Sequence, residues 1–154
     1  MKFFGAVMGA AALLAAGVTA QYAQVTNDCD FTVYVQSFPY DGSAPGNLTA
    51  VRRGRTYSEA FQPYGSTIKI DLQKTFPAPL FFGYSFSTIP NYVYYEFNTQ
   101  FGNPFAQYEN VLTPGDGCQD FDCDVNATTC YSIPHAKKIY GCPQPVNLTA
   151  ILCL

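Results

Sequence analysis

Beyond the first twenty residues, apolar and polar positions alternate with a period of two along much of the chain. Phe31, Val33 and Val35 alternate with Thr32, Tyr34 and Gln36, and Ile68, Ile70 and Leu72 with Thr67, Lys69 and Asp71. Further on, Leu80, Phe82, Tyr84 and Phe86 stand opposite Phe81, Gly83 and Ser85. Successive side chains of an extended chain point to opposite faces, so each run predicts a strand with one face on a core. Between the runs lie Pro39 to Gly46, Pro63 to Gly65, Thr75 to Pro79 and Gly102 to Pro104, rich in residues that turn the chain. No sustained helical period with caps appears in this part of the chain. Short strands separated by turns predict an all-β fold, an antiparallel sandwich. Val146 to Cys153 alternates again and predicts a closing strand. The stretch from about Pro114 to Gln144 is rich in Asp, Gly and Cys, and an irregular, disulfide-held lobe is expected there.

Cysteine placement sharpens this picture. Cys29 stands alone until Cys118, after which Cys123, Cys130, Cys142 and Cys153 follow closely. The first residues read as a signal peptide: Lys2 gives the positive end, Phe3 to Ala16 the apolar stretch, and Val18-Thr19-Ala20 the small residues before cleavage. The run is too short and too rich in Gly and Ala for a membrane span. Residues 1–20 are therefore expected to be removed, leaving residues 21–154 as one exported domain that begins at Gln21. In that compartment six cysteines imply three disulfides, with fifteen connectivities open. Cys29 lies between the first two predicted strands and Cys153 at the end of the last. A bond between them would close a very long loop, contributing about 4–5 kcal/mol in the chain-entropy model. The expected arrangement of the others nests Cys123–Cys130 inside Cys118–Cys142.

Composition narrows the partners. Charged residues make up 12% of the chain and the formal net charge is −3, so a nucleic-acid backbone is not an expected partner. Tyr (12) and Phe (13) dominate the large apolar set, with no Trp. Sequons at Asn47, Asn126 and Asn147 predict N-glycosylation and a eukaryotic source. No repeat, low-complexity segment or linker interrupts the domain, and a monomer without membrane insertion is expected.

The order of motifs carries a resemblance. Val25-Thr26-Asn27-Asp28-Cys29-Asp30-Phe31-Thr32-Val33-Tyr34 resembles the start of thaumatin-like domains. Gly54, Tyr57-Ser58-Glu59-Ala60-Phe61, Thr67-Ile68-Lys69-Ile70, Tyr94-Tyr95-Glu96-Phe97-Asn98 and Gly102-Asn103-Pro104-Phe105 follow in order, before the cysteine-rich tail. Across nearly all of residues 22–154 the combination resembles the small fungal thaumatin-like proteins of the Blastomyces yeast-phase-specific family. The resemblance implies a thaumatin-like β-sandwich, a first cysteine paired with the last, and an extracellular or cell-wall location in a fungus. It implies no settled activity.

Larger plant relatives carry an acidic cleft linked to antifungal action and weak β-1,3-glucan hydrolysis. By resemblance Glu96 stands at one cleft carboxylate, but Phe101 precedes Gly102 where a second acid is expected, so the cleft looks incomplete. Read from the residues alone, Glu96 shares a strand face with Tyr92 and Tyr94, and Glu59 with Tyr57 and Phe61. Glycoside hydrolysis needs two carboxyl groups at a set spacing, which makes Glu59 and Glu96 the catalytic candidates. The plainer expectation for both is a hydrogen-bonded polar group at the edge of an aromatic core. His135, the one histidine, stands beside Lys137 and Lys138 and is expected in a solvated loop; one histidine builds no usual multi-histidine metal site. Asp116, Asp120, Asp122 and Asp124 lack the spacing and closing Glu of a calcium loop. No metal or cofactor is expected. Arg52-Arg53-Gly54-Arg55 is expected to be a charged hairpin turn, ahead of a dibasic processing site or a polyanion contact. The resulting expectation is a secreted, non-enzymatic surface or interaction protein, an effector or adhesin, acting on cell-wall polysaccharide or a host surface protein. The alternative is a β-glucan-binding or weakly hydrolysing protein.

Overall fold

Burial follows the alternation along most of the predicted runs. In β2 (Val33–Pro39) Val33 and Val35 are buried while Tyr34 and Gln36 are half-buried, and in β6 (Leu80–Thr88) Leu80, Phe82 and Tyr84 turn inward. The computed structural model describes residues 21–154, so the expected signal segment at residues 1–20 lies outside the described residues. The other strands are β1 (Tyr22–Asn27), β3 (Thr49–Val51), β4 (Arg55–Ala60), β5 (Ser66–Asp71), β7 (Asn91–Asn98), β8 (Asn110–Thr113), β9 (Phe121–Cys123), β10 (Tyr140–Pro143) and β11 (Leu148–Leu152). Among the described residues no helix is long and apolar enough to cross a membrane.

Two sheets enclose the core. The smaller runs β4-β1-β11-β8-β9 and the larger β10-β7-β6-β5-β2-β3. Inward Val25, Leu112, Leu148 and Ala150 of the first meet Val35, Ile68, Phe82 and Phe97 of the second, all fully buried. Removing each such large apolar side chain from water contributes roughly 1.5–3 kcal/mol, which drives the sheets together. Aromatic rings close one end: Phe121 lies 4.5 Å from Tyr140 and 6.5 Å from Phe97, centroid to centroid.

Between the named strands pairing is antiparallel with one exception. β1 and β11 run parallel, from Ala23 opposite Leu148 to Asn27 opposite Leu152. Parallel neighbours end on the same side, which brings Cys29 and Cys153, each just past its strand, into a disulfide. Two buried asparagines frame it. Asn27 accepts the Cys29 N–H and donates to the carbonyls of Phe31 and Val51. Asn110 accepts the Cys153 N–H and donates to the carbonyls of Phe105 and Tyr108. Further disulfides join Cys118 to Cys142 and Cys123 to Cys130.

Three local expectations differ from the structure. Leu72 is 41% exposed, because β5 ends at Asp71, whose carboxylate accepts the N–H groups of Gln73 and Ala78 and turns the chain. The Arg52-Arg53-Gly54-Arg55 segment does turn, with Gly54 at φ 69° and the Arg55 N–H on the Arg52 carbonyl, but it does not close a hairpin. β3 pairs with β2 and β4 with β1, so the turn carries the chain from one sheet to the other. The cysteine-rich stretch is also more regular than expected. It supplies β9 to the edge of the smaller sheet and β10 to the edge of the larger.

Candidate functional site

Glu59 and Glu96 are not brought together. β4 pairs with β1 so that Glu59 lies opposite buried Ala23 and faces the space between the sheets. There it meets Tyr84, which projects inward from the larger sheet. The Tyr84 hydroxyl donates to Glu59 Oε1 at 2.9 Å, and the Tyr57 hydroxyl donates to Oε2 at 2.9 Å. Tyr84 in turn accepts the Gln62 N–H at 3.0 Å. Burial raises both phenols above their ordinary value, and the adjacent Glu59 charge raises them further. A carboxylate whose two oxygens are held by neutral phenols is a structural clasp across the open edge of the sandwich.

Glu96 faces the other way. On β7 the inward set is Val93, Tyr95 and Phe97, which leaves Tyr92, Tyr94 and Glu96 on the outer face of the larger sheet. Its cross-strand partner is Gly83. A Cβ at position 83 would lie 3.2 Å from Glu96 Cγ and 3.5 Å from the Tyr40 hydroxyl, so the missing side chain opens a dimple between them. A glycine inside a strand often marks such a close approach. The dimple holds about 60 Å³ and is rimmed by Tyr40, Ser85, Tyr94, Glu96 and Ile139. Tyr40 and Thr67 share a hydrogen bond of 2.9 Å between their hydroxyls, and Asn98 Nδ2 donates to Glu96 Oε2 at 3.3 Å. Burial raises the Tyr40 phenol; the Thr67 hydrogen bond opposes that rise and the Glu96 charge adds to it. Since roughly 10–15 Å³ of such space holds one water, the dimple admits several water-sized polar groups. It offers one carboxylate, hydroxyls and ring surfaces, and no second acid across from Glu96.

The remaining predicted residues lie elsewhere. Phe101, at the position where a second acid was looked for, is 58% exposed and packs on Phe81 with ring centroids 5.2 Å apart. His135 is exposed in the turn closed by the Ala136 N–H on the Ile133 carbonyl. Asp116, Asp120, Asp122 and Asp124 are exposed as well, and among the described residues no three His, Cys, Asp or Glu side chains gather as metal ligands would. Asn47, Asn126 and Asn147 are all exposed. The sequence reading missed Tyr40, Thr67 and Gly83 as neighbours of Glu96. The mid-strand glycine was the one available signal; Tyr40 reaches the site only through the pairing of β2, β5 and β6.

The chain matches the family model described as Blastomyces yeast-phase-specific protein over residues 10–154. Among solved structures it is similar to the protein elicitor MoHrip2 from Magnaporthe oryzae, at 56% identity and a TM-score of 0.85, covering 88% of this chain and 100% of that one. It is also similar to the thaumatin-like xylanase inhibitor TLXI, at 15% identity and a TM-score of 0.59, covering 86% of this chain and 99% of that one. At that identity the second likeness shows the fold alone, a thaumatin-like sandwich. No curated protein matches the chain.

Proposed function

The chain belongs to the Blastomyces yeast-phase-specific protein family, and on that premise we propose that it is a secreted, non-enzymatic recognition protein of a fungus, acting outside the cell or at its wall. The observation that carries this reading is the separation of the two glutamates. Glu59 is bonded inside the sandwich edge, and Glu96 lines an outer-face dimple that holds no second acid. Hydrolysis of a glycosidic bond by two carboxyl groups has no matching pair here. The outer face instead offers Tyr40, Tyr94 and Glu96 to a partner. The likeness to a protein described as an elicitor favours a host surface molecule as that partner. Six cysteines in three disulfides fit an oxidising, extracellular setting, and the exposed sequons fit glycosylation at Asn47, Asn126 and Asn147. A second reading, adsorption to β-glucan, draws on the phenol rings beside Glu96.

The test applies purified secreted protein to host tissue, insoluble β-glucan, chitin and whole walls, with released sugar measured in parallel. Saturable binding to host tissue, weakened by Tyr94→Ala with Glu96→Gln and accompanied by no sugar release, is the expected outcome. Sugar release abolished by Glu96→Gln or Glu59→Gln, with an unchanged circular dichroism spectrum, would make the protein a carbohydrate-active enzyme instead.

A further inference from the structure

A larger hollow, about 200 Å³, opens on the same outer face beyond Phe81. Lys69 of β5 and Phe81 of β6 form its floor, and Phe76, Pro77, Pro79 and Phe101 form its walls. Lys69 is the one charged residue that lines it. Its ammonium is held over aromatic rings, 4.2 Å from the Phe38 centroid and 5.8 Å from that of Phe81. Asp71, the next residue on this face of β5, is buried and turned to the loop, where its oxygens accept the N–H groups of Gln73 and Ala78 at 3.1 and 3.2 Å.

The walls are fixed by two backbone features. Gly102, at φ 145°, touches the opposite loop so closely that a Cβ would lie 2.6 Å from both the Cβ and the carbonyl oxygen of Ala78. No other residue fits there, and this contact locks the Phe101 loop against the Pro77 and Pro79 loop. Phe76 holds a left-handed backbone at φ 50°, a strained conformation for a bulky side chain, and its ring lines the hollow.

We propose that this hollow binds a small aromatic carboxylate, with its ring against Phe101, Phe76 and the prolines and its carboxylate on Lys69. A cation set among rings, with no acid lining the hollow, favours an anion, and partial exclusion of water strengthens that attraction. The ring walls select a flat apolar body, which a bare inorganic anion lacks. The volume accommodates one ring rather than a polymer. Because Glu96 takes no part, this site stands or falls independently of the recognition face.

The experiment is a ¹H–¹⁵N NMR titration of the secreted protein with 3-phenylpropionate, and in parallel with 3-phenylpropionamide and with acetate. Saturable shifts are expected at Lys69, Phe81, Phe101 and Gly102 with the acid. Binding should be about tenfold weaker for the amide, because a hydrogen bond to a charged group is worth about that factor or more. Acetate alone should leave these resonances in place. Lys69→Met, which keeps the aliphatic stem over the rings, should weaken the acid about tenfold. Phe101→Ala, a change at an exposed side chain, should weaken both ring ligands. The proposal is overturned if the acid gives no saturable shift, if acid and amide bind equally, or if Lys69→Met binds as tightly as the parent chain.

Discussion

Glu59 stands at the seam where the two sheets meet, and Glu96 on the open side of the larger sheet. Both carry aromatic neighbours two residues away on their own strand, yet the surroundings act on them in opposite ways. At the seam, Tyr57 and Tyr84 present hydroxyls, one to each carboxylate oxygen. On the open face, Tyr94 stands beside Glu96, which accepts a hydrogen bond from the Asn98 amide at 3.3 Å. Within the smaller sheet, the ends of β1 and β11 are tied instead by the Cys29–Cys153 bond, with Asn27 and Asn110 holding the backbone on either side of it. An acid among rings is thus a clasp or a contact according to which end of the ring it meets. The deciding variable is the sheet face, which the motif around each glutamate does not encode.

Breaking the bond between the ends of β1 and β11 should have the largest effect. Cys29→Ser with Cys153→Ser is expected to cost about 2–5 kcal/mol of stability, read from denaturant midpoints under non-reducing conditions. A loss below about 1 kcal/mol would mean that β1–β11 pairing and the two asparagines suffice to hold those ends. Alkaline pH should loosen the interior next, through its phenols. Burial, aided by Asp120 and Tyr140, pushes Tyr95 up to about 12 from an ordinary value of 10.0, and Tyr57 and Tyr84 are also raised. Above pH 10 the unfolded chain has released phenolic protons that the folded chain still binds, so stability falls as pH rises. The contribution is whole below 10, declines through about 12 for Tyr95, and continues to decline above that for the seam pair. Midpoints that stay flat across this window would show the phenols to be solvated and would remove the distinction between seam and face.

Period-two alternation revealed which residues point inward along β2 and β6, because that property is local to a strand. It over-extended β5 to Leu72, since a side chain that captures its own backbone two residues on, as Asp71 does, ends a strand without breaking the apolar pattern. Sheet membership was not legible. Arg52 to Arg55 reads as a turn, but nothing near it signals that β3 and β4 belong to different sheets. The parallel pairing of β1 with β11 joins strands more than a hundred residues apart, and it alone explains why Cys29 meets Cys153. The candidate site was legible to the same degree. Glu96 could be placed on a face with Tyr92 and Tyr94, whereas the clasp between Glu59 and Tyr84 joins residues 25 apart on different sheets. Gly83 was visible as an interior glycine, but what approaches it depends on three strand pairings.

The two glutamates supply the finest test, since the same substitution at each should give different results. Glu59→Gln replaces one carboxylate oxygen with an NH₂ donor that confronts a phenol already donating. At Tyr84 the phenol oxygen also accepts the Gln62 N–H, which leaves it little room to reverse roles. A loss of about 1–3 kcal/mol is expected, the range for a hydrogen bond to a charged group left badly matched. Glu96→Gln keeps an acceptor for the Asn98 amide in a half-exposed setting and should change stability by no more than about 0.5 kcal/mol. Partner binding should follow the reverse order, weakened by Glu96→Gln and kept by Glu59→Gln wherever the protein remains folded. Equal stability losses at the two positions would make Glu96 a structural residue, and the outer face would then lose its claim as the recognition surface.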